Sequence, residues 1–144
     1  MISAGDALGA ALAAENAAIY AYGVLGVQLE SDDEKSDAHT AETAHRQRRN
    51  YVVTRLDQLK VKAPATPAGY DLPFPVTDRD SALKLAIHVE DGVAQAWRPV
   101  LPVTGSADRT TALSALTDAA VRATRWRRRA SADPLTLPFP GRAG

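Results

Sequence analysis

Between residues 62 and 77 the chain places Pro64, Pro67, Pro73 and Pro75. Proline locks φ and removes a backbone donor, so this stretch is extended and not helical. On each side of it lie two segments whose apolar residues recur at helical period, over about 3–30, 32–61, 79–98 and 107–130. The links inside each pair are short, which makes each pair an antiparallel hairpin. The middle link is of another kind. At ~3.1–3.3 Å per residue it reaches roughly 50 Å, more than the roughly 35–40 Å length of a 25-residue helix. It can therefore run the length of a bundle and set the second and third helices parallel. The expected fold is all-α, one domain over 1–144, with two antiparallel hairpins joined by a long Pro-rich crossover and a Pro-rich tail over 131–144.

Terminal signals agree with these bounds. Ser3 is placed to cap the first helix, and Ser31 or Asp32 the second, with Asp33 and Glu34 in the first turn where the helix dipole favours negative charge. The third helix begins near residues 78–80 and ends before Pro99, because the residue preceding proline disfavours the helical region. The fourth starts near 106–108 and carries Arg127, Arg128 and Arg129 in its last turn. A short repeat, Leu72-Pro73-Phe74-Pro75 and Leu137-Pro138-Phe139-Pro140, follows the two hairpins and reads as a pair of extended apolar caps. The crossover topology puts Phe74 and Phe139 at one end.

Formal net charge is zero, so no global field draws the chain to nucleic acid or to an anionic membrane. There is no cysteine, which excludes disulfides and thiolate metal sites and fits a reducing cytoplasm. The N-terminus lacks a basic leader, and no apolar run is expected to reach bilayer-spanning length, so the expectation is a soluble, cytoplasmic protein. Arg122, Arg125, Arg127, Arg128 and Arg129 surround Trp126, but the acidic residues Glu30, Asp32, Asp33 and Glu34 fall at the same bundle end. Salt bridges or a dimer contact suit that cluster better than nucleic acid. Trp97, Trp126 and the two proline segments are expected to leave apolar area uncovered, which favours a twofold homodimer.

Four polar residues interrupt the apolar arcs. At about 100° per residue, Glu15 falls among Leu8, Ala11, Leu12, Ala18, Ile19 and Tyr22. His45 is central to Ala38, Ala41, Val52, Leu56 and Leu59, with Glu42 at the edge, and Glu90 lies among Leu83, Ala86, Ile87, Val93, Ala94 and Trp97. Buried carboxylates have to be paired, protonated or bound to metal. Glu42 and His45, three residues apart, reach one point, and Glu15 reflects through the first turn to nearly the same depth. Glu15, Glu42, His45 and Glu90 are thus candidate ligands for one iron, manganese or zinc ion. The competing reading is a metal-free ion network, in which Arg49 and a protonated His45 offset the three carboxylates. His39 and His88 fall on polar arcs and read as solvated.

The run Ala14-Glu15-Asn16-Ala17-Ala18-Ile19-Tyr20, the triplet Ala44-His45-Arg46 and the segments 70–76 and 118–126 resemble an actinobacterial ferritin-like domain family of unknown function. The resemblance covers nearly the whole chain and implies a ferritin-like four-helix bundle, an arrangement the link lengths also favour; it implies no activity. Ferritin-like dimetal proteins carry a second Glu-x-x-His on the fourth helix. Here that helix presents Leu116, Thr117, Ala120, Val121 and Ala123 near the required depth, and no histidine follows His88. Asp118 falls on the polar arc and is read as the partner of Arg122. The expected function is a non-catalytic binding or structural protein with a degenerate carboxylate–histidine site. The alternative is a mononuclear metal protein with redox chemistry.

Overall fold

A computed structural model describes residues 2–143; Met1 and Gly144, the ends of the expected domain and tail, lie outside them. The elements are α1 (Ala4–Leu25, continued by a 3₁₀ turn Gly26–Gln28), α2 (Asp32–Gln58), α3 (Arg79–Trp97), a one-turn α4 (Val100–Val103) and α5 (Ser106–Arg129). No strand occurs among the described residues. Ser3 caps α1 by accepting from the Asp6 amide. Ser31 and Glu34 form a reciprocal capping box on α2, and Asp78 and Ser81 do the same on α3. The second helix stops three residues short of expectation: Lys60 takes a left-handed φ of 57°, which turns the chain out before the prolines begin.

The helix directions follow from pairs of residues. Helix α1 packs on α2 and α3, and α3 packs on α5. Glu34–Arg79 and His45–Glu90 share one offset, 45 residues, so α2 and α3 ascend together. Asp37–Arg129, Arg48–Asp118 and Arg55–Asp108 run in opposite senses, so α2 and α5 are antiparallel. The proline-rich link lies along α1, where small residues admit it. A Cβ at Gly5 would stand 3.0 Å from Val61 Cγ2, and one at Gly9 3.4 Å from Pro64 Cγ, while Tyr70 meets Tyr20 at 5.2 Å between ring centroids.

The core has two apolar clusters, one above the other. The first includes Leu8, Leu12, Val52, Leu56, Val93, Trp97, Val100, Ala112 and Ala115. The second includes Tyr22, Leu25, Ala38, Ala41, Leu83, Ala86 and Trp126. On α5 the buried residues are mostly alanines, at 112, 115, 119 and 123, while Val121 is 46% exposed and Leu116 half-buried. Alanine lets α5 approach closely, and that rotates the helix away from the orientation its larger apolar residues suggest.

Three expectations need correction here. Both tryptophans are fully buried and do not contribute uncovered surface. Phe74 packs edge-on against His88, midway along α3, whereas the Phe139 carbonyl accepts from Arg98 beyond that helix's C-terminal end. The two phenylalanines therefore do not share an end, because the tail folds back along α3 and α5 after leaving the helix. Finally, Ala4–Gln28 is by length and composition apolar enough to cross a membrane; here Leu8, Leu12, Ala18 and Leu25 of that stretch lie in the core.

Candidate functional site: a polar layer across the bundle

Each of the four long helices brings one charged residue to the level between the two apolar clusters: Glu15 from α1, His45 from α2, Glu90 from α3 and Arg122 from α5. His45 is at the centre. Its Nδ1 lies 2.6 Å from Glu15 Oε2 and its Nε2 2.6 Å from Glu90 Oε1. Glu15 and Glu90 are wholly buried and His45 nearly so. Burial alone would push the imidazole's proton affinity down. The hydrogen bonds to Glu15 and Glu90, with their charges, outweigh it and raise the His45 pKa to about 9. At neutral pH the ring is therefore an imidazolium donating from both nitrogens.

Aromatic donors complete the layer. The Trp97 indole N–H donates to Glu15 Oε1 at 2.7 Å. Tyr22 donates its hydroxyl to Glu90 Oε1 at 3.2 Å and accepts from the Trp126 indole at 2.9 Å. The Tyr22 ring also stacks on the imidazole, 5.7 Å between centroids. Burial, then the neighbouring Glu90 charge, holds the Tyr22 hydroxyl well above its ordinary value of 10, so it stays protonated and remains a donor. Arg122 Nη1 approaches Glu90 Oε1 at 3.5 Å with its side chain 19% exposed, so it reaches the layer from the solvent edge. Two carboxylates face an imidazolium and a guanidinium, and the charges cancel. Glu90 Oε2 is buried without a hydrogen-bond partner among the described residues.

Of the four residues expected to converge, the fold brings together Glu15, His45 and Glu90. Glu42 does not join them: it sits on the flank of α2, paired with Arg46 one turn on at 2.8 Å. Arg49 does not offset the buried charge either, since its Nε donates to Asn50. Arg122 takes that part, and Asp118, expected to hold Arg122, pairs with Arg48 at 2.7 Å. His39 and His88 are exposed. The arginine cluster is largely spent within the fold, Arg127 on Asp91 and Arg129 on Asp37.

Sequence reasoning missed Tyr22, Trp97, Trp126 and Arg122. A signal for the first three existed. A buried indole or phenol needs a polar partner; Tyr22 lies about two turns after Glu15 and Trp97 about two turns after Glu90, each on the same stripe. For Arg122 the misplaced centre of the α5 face hid the signal. Four residues on, Trp126 shares its arc, as do Ala115 and Ala119.

As a metal site the arrangement fits poorly. The two imidazole nitrogens point in opposite directions, each toward a different carboxylate, so Glu15, His45 and Glu90 do not face one point. Among the described residues no group of three or more His, Asp or Glu side chains is disposed to hold an ion.

A family model described as Domain of unknown function (DUF4439) matches residues 7–144. The fold is similar to the crystal structure of a conserved hypothetical protein from Mycobacterium tuberculosis, with a TM-score of 0.81 and 41% identity, over 88% of this chain and 96% of that one. No curated protein matches the chain.

Proposed function

We propose, for a chain that belongs to the family described as Domain of unknown function (DUF4439), a ferritin-like bundle in which a charge-balanced polar layer stands where related architectures hold metal, and whose role is binding or structural and not catalytic. In this reading the proline-rich link is the crossover between the hairpins. The observation that carries it is the double engagement of His45. A ligand imidazole keeps one nitrogen free for metal and gives the other to an outer partner; here both are given to carboxylates. The guanidinium of Arg122 on α5, where dimetal proteins place a ligand pair, supplies the remaining positive charge. In this reading the network's role is to fix the register of the four helices.

The second reading is a single iron, manganese or zinc ion held by Glu15, His45 and Glu90. It draws support from the unpartnered Glu90 Oε2, but it requires His45 to release one carboxylate. Elemental analysis of protein purified without chelator, with melting curves before and after chelator, tests both. The expected result is substoichiometric metal and an unchanged melting temperature. Close to one equivalent of a transition metal, with melting lowered on its removal, would replace the first reading by the second.

A further inference from the structure

The tail does more than cover its helices. It turns back after α5, and with α3 and α5 it encloses a cleft of about 190 Å³. Its anchoring is specific. Gly141 has a φ of +81°, and a Cβ there would stand 2.7 Å from the Ala94 carbonyl oxygen and 2.9 Å from Leu116 Cδ1, so only glycine fits that position. Arg98 donates to the carbonyls of Phe139 and Pro140 at 3.4 and 3.3 Å. Phe139 itself is held at a φ of 54°, a conformation that persists only where the surroundings over-determine it. A segment that served to hide apolar surface would turn its large side chains inward. Here Phe139 is 65% exposed and Leu137 43% exposed, both at the cleft.

The chemistry of the lining is unequal in charge. Its apolar wall includes Ala94, Ala120, Val121 and Leu137. Its charged groups are Asp91, Arg127 and Arg142. Asp91 and Arg127 neutralise each other through a two-pronged pair. Arg142 lies over the Phe139 ring, 5.8 Å from its centroid, and forms no ion pair among the described residues. Among the described residues the lining thus carries one net positive charge at the edge of an apolar trough. Its volume lies below the roughly 300–1,000 Å³ of drug-sized ligand sites, so its occupant is small. We propose that this cleft binds a small monoanionic amphiphile of the medium-chain carboxylate class, with the alkyl chain against Val121 and Leu137 and the carboxylate at Arg142. This site is separate from the polar layer, and neither its success nor its failure bears on the reading of that layer.

Octanoate is the probe, titrated calorimetrically into the full chain, with octylammonium as the charge-reversed control. The expected result is saturable one-to-one binding, with octylammonium weaker by about tenfold or more, the loss typical of a charge-assisted contact. Val121→Trp, at a half-exposed position, fills the trough and should abolish binding, and Arg142→Gln should weaken it by about tenfold. Amide shifts on addition of octanoate to the parent, a readout that needs no variant, should concentrate in residues 120–124 and 136–142. No saturable binding overturns the proposal. So does binding indifferent to both substitutions or to the sign of the probe's charge, or a set of amide shifts elsewhere. Self-association of the parent that Val121→Trp removes, without octanoate binding, would assign the trough to a second copy of the chain and equally overturn it.

Discussion

Raising the pH should weaken this fold before Tyr22, Tyr51 and Tyr70, all raised above 10, lose their protons. The perturbation is the loss of the His45 proton. In the unfolded chain the imidazole titrates near 6.5, and in the fold near 9. A group that binds its proton more tightly in the folded state contributes fully below the unfolded value and nothing above the folded one. The contribution of His45 is therefore complete below pH 6.5, falls across the interval and is gone above about 9. At about 1.36 kcal/mol per pH unit, the loss amounts to about 3 kcal/mol. That is a large part of the roughly 5–15 kcal/mol by which a domain is stable. The window is clean among the displaced groups. Glu34 and Asp78 are lowered and act in acid, and Tyr22, Tyr51 and Tyr70 are raised and act above pH 10. Urea denaturation at half-unit steps from pH 6 to 9.5 measures the slope, with His45→Gln as the comparison lacking the titrating group. If that variant does not fold, the imidazole nitrogen shifts of the parent still report the protonation state directly. A parent whose stability is flat over this interval, or a His45 ring that titrates near 6.5, would refute the reasoning.

Other substitutions separate the members of the layer. Arg122→Met should destabilise by roughly 1–3 kcal/mol, less than the 3–5 kcal/mol of a fully buried partner because Arg122 meets solvent. Arg49→Met, whose parent side chain hydrogen-bonds only to Asn50 among the described residues, should stay within about 0.5 kcal/mol, and the reverse order in a denaturation series would return the compensating role to Arg49. Trp97→Phe keeps most of the packing but leaves Glu15 Oε1 without its donor, for a cost of about 1–3 kcal/mol; equilibrium unfolding indistinguishable from the parent would show that the indole bond carries no weight.

The helices were legible because local rules fix their starts: Ser3, Ser31 and Asp78 cap where the periodicity begins. The proline rule at the end of α3 does not hold, since Arg98 keeps a helical backbone and the chain runs on through Pro99 into α4. Glu15, His45 and Glu90 were legible because a charge on an apolar arc is conspicuous. Glu42 was not separable from them by angle alone. Its position at the edge of the arc allows either direction, and Arg46, one turn away, decides it. The orientation of α5 was illegible for a physical reason. Hydropathy ranks Leu116 and Val121 above alanine, but close helix packing selects the small residue, so Ala112, Ala115, Ala119 and Ala123 define the interface. Once that axis is misjudged by part of a turn, Arg122 falls on the wrong side. The path of the tail was beyond reach, since its course depends on Gly141 meeting the Ala94 carbonyl, a contact between distant segments.

The spans of the layer's hydrogen bonds also say when it can form. Glu15–His45 closes over 30 residues and lies inside the first hairpin. His45–Glu90, Tyr22–Glu90 and Glu15–Trp97 span 45, 68 and 82 residues and wait for the second hairpin to dock. Local contacts form first, and closure of longer loops follows. The expectation is that helix α3 joins the layer after the folding barrier. Weakening it at Glu90 or Trp97 should hasten unfolding while refolding keeps its pace, whereas weakening the α1–α2 turn should slow refolding. A chain built this way guards its lifetime in the folded state with residues that have little say in how fast it gets there.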